Sequence, residues 1–269
     1  MCLLPFVHVL AVSLSGAGAA SAGIVGLWPV DINVDAYKFA FSKPRFLLSI
    51  LTSFKRLFLG VSLNMILTIL TAYPLSKAKK DLKGRTLIAW YFVFTMLFAG
   101  GLIPTYLVVS ATGLRNTIWA LIIPGAVPIY NVVVLLNFFK QTPKELEESA
   151  FLDGAGHWRI LMSVYIPLAV QALMTLIIFV TVAHWNEWFS GMIYIENIEN
   201  YPLATYMQNV VAKPDFDNMS IEEMRQLANV SDRSFTAAQI AIATLPVIMV
   251  YPFLQRYFIK GMVVGSLKG

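Results

Sequence analysis

Long apolar runs separated by short polar stretches dominate the 269-residue chain. Five of the runs reach the length of about 20 residues that a helix needs to cross the hydrocarbon core of a membrane. These runs cover residues 57–75, 86–110, 117–139, 160–185 and 237–258. The pattern predicts an all-α polytopic membrane protein in which residues 1–269 form a single transmembrane domain.

A sixth apolar run, over about residues 2–15, is shorter than the other five. A helix of about 13 residues reaches only about 20 Å, whereas the hydrocarbon core is about 30 Å thick. A cleaved signal peptide is the other interpretation, but no basic residues precede the run. We expect residues 5–15 to form the outer half of a first span, with Met1 at membrane depth or disordered. The prediction is then about six transmembrane helices, of which the first is truncated.

Basic residues are densest in the loop 77–85, where five of nine positions are Lys or Arg. Cytoplasmic loops of membrane proteins carry such an excess. This loop, the segment 140–159 and the tail 256–268 are therefore predicted to be cytoplasmic, and residues 186–235 to form an outer loop. A nine-residue loop between two spans is a poor nucleic-acid site, so we interpret the net charge of +5 as a signal of topology.

The composition agrees with a membrane location, because 58% of the residues are hydrophobic and only 13% are charged. Soluble domains carry about 25% charged residues. The single cysteine, Cys2, excludes an internal disulfide. The sequence contains neither a phosphate-binding loop that ends in Gly-Lys-Ser/Thr nor a cluster of His and Cys. We therefore expect no enzymatic activity, no cofactor and no metal in this chain.

The polar segment 142–159 lies between two apolar runs and predicts a short helix, a turn and the start of a second helix. Thr142, Pro143 and Glu145 have the spacing of a capping box, with threonine at the cap and proline at the first helical position. Gly154 ends the first helix, because glycine readily adopts the positive φ of a helix-terminating turn. The result is a helix-turn-helix outside the hydrocarbon that continues into a membrane span.

The residues of this segment closely resemble the EAA motif of ABC-importer permeases. That motif consists of Glu-Ala-Ala, Asp-Gly-Ala and, further along, an apolar residue followed by Pro-Leu. Here it occurs as Glu148-Ser149-Ala150, Asp153-Gly154-Ala155 and Ile166-Pro167-Leu168. The chain departs from the usual pattern at Ser149, Ile166 and Gln171, but serine is small and isoleucine apolar. The alternative is an amphipathic cytoplasmic helix with no special role.

A second stretch, Phe98-Ala-Gly-Gly-Leu-Ile-Pro-Thr105, resembles the carbohydrate permeases of the maltose-permease type. Its amino-acid sequence is similar to that of the oligosaccharide permeases for polysaccharide breakdown products, such as fragments of alginate or pectin. This likeness covers most of residues 82–202. It implies the type I ABC importer fold and ATP-driven import of oligosaccharides by alternating access across the bacterial inner membrane.

The resemblance also implies the partners of the chain. They are a second homologous permease, two ATPase subunits that hold ATP and Mg, an extracytoplasmic solute-binding protein, the oligosaccharide and the membrane lipid. A permease for another solute class would share the EAA pattern and remains an alternative. An ion-driven secondary transporter is a further alternative, but it would need carboxylates within its spans, and residues 57–74 and 86–137 have none.

The resemblance implies that the ATPase receives the first short helix in a groove. The candidate ATPase-coupling residues are Glu147, Glu148, Ser149, Ala150, Asp153, Gly154 and Ala155. The small residues allow close approach, and the carboxylates can pair with basic groups of the ATPase. A solvated helix face is the other interpretation of these carboxylates.

Polar residues inside apolar runs mark a candidate transport path. They are Asn64, Tyr130, Asn131, Asn137 and Gln171. Amide groups and aromatic rings suit a sugar, which is held by hydrogen bonds and by stacking. Hydrogen bonding between helices is the competing interpretation of each of them.

Overall fold

The computed structural model describes residues 3–78, 81–211, 230–246 and 248–249. This part of the chain is helical and contains no strand, so the all-α prediction is confirmed. In chain order the helices are α1 Leu4–Ser13, α2 Ala17–Ala22, α3 Asp35–Ser42, α4 Pro44–Ser76, α5 Arg85–Leu97, α6 Leu102–Ala111, α7 Ile129–Lys140, α8 Lys144–Leu152, α9 His157–Ile160, α10 Ile166–Leu168, α11 Val170–Asn186, α12 Phe189–Tyr194, α13 Leu203–Tyr206 and α14 over 232–246. Short turns of 3-10 helix precede α7, and a π-helical turn, Leu161–Tyr165, joins α9 to α10.

Helix α4 is long and apolar enough to cross a membrane by itself. It has 33 residues and begins at Pro44, well before the predicted run 57–75. Proline suits the first position of a helix, because its fixed φ is already helical and its missing N–H is not needed there. The charged pair Lys55 and Arg56 bounds the apolar run in sequence, whereas the helix continues through it.

Three further candidate spans are broken, each being a pair of helices joined at a bend. The helix direction bends by 115° between α5 and α6 and by 50° between Ile118–Gly125 and α7. It bends by 81° between His157–Leu168 and α11. The sharpest bend contains Gly101, whose φ of +90° is open to glycine without steric cost. The described residues therefore hold up to four candidate spans.

The two ends of the chain are described only in part. The first apolar run forms α1, a helix of 10 residues, which is too short for a span by itself. Helix α14 begins at residue 232, before the predicted run 237–258. The end of that run, the tail 256–268 and the expectation for Met1 lie outside the described residues. The predicted outer loop 186–235 contains α12, α13 and the start of α14 where it is described.

The chain divides into two compact units, residues 1–55 with 185–250 and residues 56–184 with 251–269. The first unit has small apolar clusters, such as one of Ala36, Phe39, Val230 and Ala238. The second unit has a larger core made by the end of α4, by α7 and by the helices from residue 160 to 176. Ala150 and Ala155 pack against this larger core, which thus supports α8.

The topology predicts that a cysteine placed at residue 83 reacts only from the cytoplasmic side. Lys83 is exposed, and the native Cys2 can be replaced by serine to leave a single thiol. We expect Lys83→Cys to resist a membrane-impermeant maleimide in sealed cells and to react after permeabilisation. Labelling in sealed cells would place the loop 77–85 outside and reverse the orientation.

Candidate coupling site

Helix α8 begins one residue later than the capping box predicts. Pro143 occupies the cap position with a φ of −55° and a ψ of 130°, and no side chain caps the helix. The predicted cap at Thr142 is therefore wrong, because its hydroxyl lies one residue too far from the free N–H groups of the first turn. Glu145 and Glu147 stand in that turn, where a negative charge complements the positive end of the helix dipole.

The end of α8 is a left-handed turn at Gly154, as predicted. Gly154 has a φ of +77°, and its N–H donates to the carbonyl of Phe151 at 3.0 Å. The N–H of Ala155 donates to the carbonyl of Ala150 at 2.9 Å, which closes the turn. A Cβ at Gly154 would meet no atom within 4 Å, so φ and not crowding makes glycine the suitable residue.

The seven candidate coupling residues lie on two faces of α8 and its turn. Glu148, Ser149, Asp153 and Gly154 are exposed. Ala150 and Ala155 are half-buried against the core of the second unit, and Glu147 is directed inward. One face of α8 thus packs against the core, and the other, which we call the free face, is exposed and carries Glu148, Ser149 and Asp153.

Two exposed apolar residues beside the motif were not among the sequence candidates. Leu152 is 89% exposed and Trp158 is 65% exposed. Large apolar side chains in a polar segment are visible in the sequence, although only a contiguous apolar patch, and not a single exposed residue, marks a surface that meets a partner. Leu152 is the last residue of α8, four residues after Glu148 on the same helix face, whereas Trp158 lies in α9.

Glu147 belongs to a partly buried ionic cluster that the sequence pattern did not predict. Lys77 Nζ donates to Glu147 Oε1 at 2.6 Å and to Tyr165 Oη at 3.0 Å. Tyr165 Oη donates to Glu147 Oε2 at 2.6 Å. The side chains of Lys77 and Glu147 are only 10% and 18% exposed, so the pair is largely shielded from water.

The pKa values of the two charged groups both lie below their usual range. Burial acts to raise the pKa of Glu147, but the hydrogen bonds from Lys77 and Tyr165 outweigh burial, so this pKa is lowered. Burial lowers the pKa of Lys77, and the hydrogen bond and charge of Glu147 oppose that change without reversing it. Glu147 receives two donors, which is why its charged form is favoured despite burial.

Both polar atoms of the Asn64 side chain make hydrogen bonds within the second unit. Its Nδ2 donates to the carbonyls of Gly125 at 2.7 Å and Ala126 at 3.0 Å, and its Oδ1 lies 2.6 Å from His184 Nε2. Only 2% of Asn64 is exposed. The 3-10 turn that ends at Gly125 leaves carbonyls without helical partners, and Asn64 satisfies them. This is the inter-helix bonding that competes with a substrate role.

The other path candidates have different surroundings. Asn131 is buried in α7, whereas Tyr130 is 57% exposed. Tyr130 and Asn137 are seven residues apart on α7, so they share one helix face, and Asn137 is also exposed. Gln171 is exposed in the first turn of α11. Tyr130 and Asn137 therefore lie on one exposed face of α7, whereas Asn64 is buried.

The apolar candidate spans and the polar helix-turn-helix of α8 and α9 are the features of a polytopic membrane protein. Residues 40–264 match the family described as binding-protein-dependent transport system inner membrane component, and the chain belongs to that family.

Its relatives include proteins similar over nearly the whole chain. Protein LplC of Bacillus subtilis (strain 168) is 39% identical over 267 residues, which is 99% of this chain and 90% of that protein. The polygalacturonan/rhamnogalacturonan transport system permease protein YtcP of the same strain is 36% identical and covers 100% of this chain and 93% of its own length.

A solved structure has the same fold. It is a bacterial ABC transporter involved in the import of the acidic polysaccharide alginate, with 32% identity and a TM-score of 0.88 over 96% of this chain and 91% of that chain. The chain is thus a permease subunit of an ABC importer in the inner membrane, and not an enzyme. The fold class implied by the EAA resemblance is confirmed.

Proposed function

We propose that this permease imports oligosaccharides derived from acidic polysaccharides. Among the relatives more than 30% identical, the two whose names state a cargo concern polygalacturonan/rhamnogalacturonan and alginate, and polygalacturonan and alginate are both polymers of uronic acids. Relatives at 22–26% identity are named for the uncharged sugars maltodextrin, lactose and melibiose/raffinose/stachyose. The permease works with a second permease, two ATPase subunits that bind ATP and Mg, and an extracytoplasmic binding protein. Binding-protein delivery is stated in the description of the family itself.

We propose that α8 and its turn are the coupling site for the ATPase. The observation that carries this proposal is the division of α8 into a face packed on the core and an exposed face. The exposed face offers Glu148, Ser149 and Asp153, and Leu152 extends it with apolar surface. A rigidly seated helix transmits the movement of a bound subunit, whereas a loose loop would absorb it.

For the transport path, we propose that Tyr130 and Asn137 contact the sugar. They share an exposed face of α7 and combine an aromatic ring with an amide, the groups that hold sugars by stacking and hydrogen bonding. Gln171 is an exposed amide that can join them, and Asn131 supports α7 from its buried side. Asn64 acts in the same proposal as a structural tie between helices.

The proposed substrate class can be tested on the complete assembly in proteoliposomes. Its binding protein would be loaded with oligogalacturonates, alginate oligomers or uncharged maltooligosaccharides. We expect an acidic oligosaccharide to stimulate ATP hydrolysis and to be taken up, and the uncharged ones to do neither. Stimulation by the uncharged sugars alone would contradict the acidic class.

A further inference from the structure

We infer that Lys77, Glu147 and Tyr165 form a clamp that fixes the coupling helix α8 to the cytoplasmic end of α4. The inference rests on the coupling role proposed above for α8. It makes Lys77 and Tyr165 positioning residues, which act through α8 and do not themselves touch the ATPase or the sugar.

The clamp joins three separate parts of the chain. Lys77 follows the last residue of α4, Glu147 lies in α8, and Tyr165 ends the π-helical turn Leu161–Tyr165. Lys77 is 70 residues from Glu147 and 88 residues from Tyr165 in sequence. Each of the three groups contacts the other two, so α8 is tied to α4 by a route independent of its covalent connection to α9.

Aromatic rings enclose the ammonium group of the clamp. Lys77 Nζ lies 4.1 Å from the ring centroids of both Tyr73 and Tyr165. Phe139 packs edge-on against Tyr165 at 5.4 Å and against Tyr73 at 6.4 Å. The rings attract the cation, while the other side of the cluster faces a cavity that Lys77, Glu147 and Tyr165 line together.

The backbone that carries Tyr165 is specialised. Residues Leu161–Tyr165 form a π-helical turn, which is rare and often occurs at functional sites. Pro167 follows closely and has no N–H to give to an α-helical bond. Tyr165 is itself 4% exposed, and its hydroxyl is held by Lys77 and Glu147.

The two adjacent carboxylates of α8 lie in different surroundings. Glu147 is directed inward to Lys77, whereas its neighbour Glu148 is exposed on the free face. A force on the free face would rotate a helix that had only covalent ends to hold it. The clamp resists this rotation, so a displacement of α8 becomes a displacement of α4.

The clamp can be tested by a distance measurement that needs no sugar. Spin labels would be placed at Lys144→Cys on α8 and Leu70→Cys on α4, both exposed, in a Cys2→Ser background. In the full assembly, we expect one narrow distance distribution, the same without nucleotide and with a non-hydrolysable ATP analogue. Lys77→Met should broaden it or shift it between the two states.

A second measurement relates the clamp to coupling. With equal amounts of assembled complex, Lys77→Met and the milder Tyr165→Phe should reduce stimulation of ATP hydrolysis by the loaded binding protein, by about fivefold or more for Lys77→Met. Lys77→Arg keeps the charge and should restore most of the stimulation. The exposed Lys83→Met, outside α8, is the control and should match the parent protein.

The two measurements separate the two ideas. Unchanged distances in both Lys77→Met and Tyr165→Phe would overturn the clamp. Absence of stimulation in the parent assembly by any acidic oligosaccharide would instead reject the proposed substrate, and the distance test of the clamp would stand unaffected.

Discussion

Replacement of Gly154 by valine is expected to uncouple transport from ATP hydrolysis while the protein still inserts into the membrane. Gly154 has a φ of +77°, where a residue with a Cβ pays about 1–2 kcal/mol and a β-branched residue more. The turn would relax toward negative φ, and the exposed face of α8 would no longer be presented in the same orientation. Uptake by the reconstituted assembly should fall strongly, with a smaller fall for Gly154→Ala.

Gly156 provides a matched control for this experiment. It lies two residues further along, with a φ of −77°, and a Cβ there would also meet no atom within 4 Å. Gly156→Ala should therefore leave uptake close to that of the parent protein. Normal uptake by Gly154→Val would contradict the coupling role of this turn.

Replacement of Asn64 by leucine is expected to destabilise the permease. The change would remove the donor to the carbonyls of Gly125 and Ala126 and the oxygen that accepts from His184 Nε2. A buried acceptor without a partner costs about 1–3 kcal/mol, and membrane surroundings offer no water to replace the donor. We expect a clear fall in the temperature at which the assembled complex dissociates, measured by size-exclusion chromatography after heating.

Asn137→Leu gives the opposite result if the assignments are correct. Asn137 is exposed on α7, so its replacement should keep the stability of the complex and lower the uptake of the sugar. Equal stability of Asn64→Leu and the parent protein would contradict the structural role of Asn64. A stable Asn64→Leu variant with reduced uptake would instead indicate that Asn64 belongs to the transport path.

The turn at Gly154 was predictable because glycine has a local signature that no distant contact needs to supply. The start of α8 was missed by one residue for an equally local reason. Pro143 has a fixed φ that suits both the first helical position and the extended cap position. Its ψ of 130° shows that it occupies the cap position. Sequence spacing alone does not separate these two conformations.

The ionic cluster was not predictable from periodicity. Lys77 belongs to a basic loop, and in the sequence all its basic residues indicate topology. Glu147 belongs to a polar helix, in which every carboxylate is expected to be a surface charge. Only the packing of α4 against α7 and the helices after residue 160 brings them within 2.6 Å. Likewise, the sequence pattern did not predict the bend of 115° between α5 and α6, at which Gly101 has a φ of +90°.

The length of α4 makes it a lever arm. At 1.5 Å per residue, its 33 residues extend about 50 Å, whereas the hydrocarbon core is about 30 Å thick. Part of the helix must therefore project beyond the hydrocarbon or be accommodated by tilt. A tilt change of about 10° about the middle of such a rod moves its tip by about 4 Å, which is comparable to the rise of a helical turn. Because Lys77 follows that tip, we infer that a small change of angle in the membrane becomes a displacement of atomic size at α8, the proposed coupling helix.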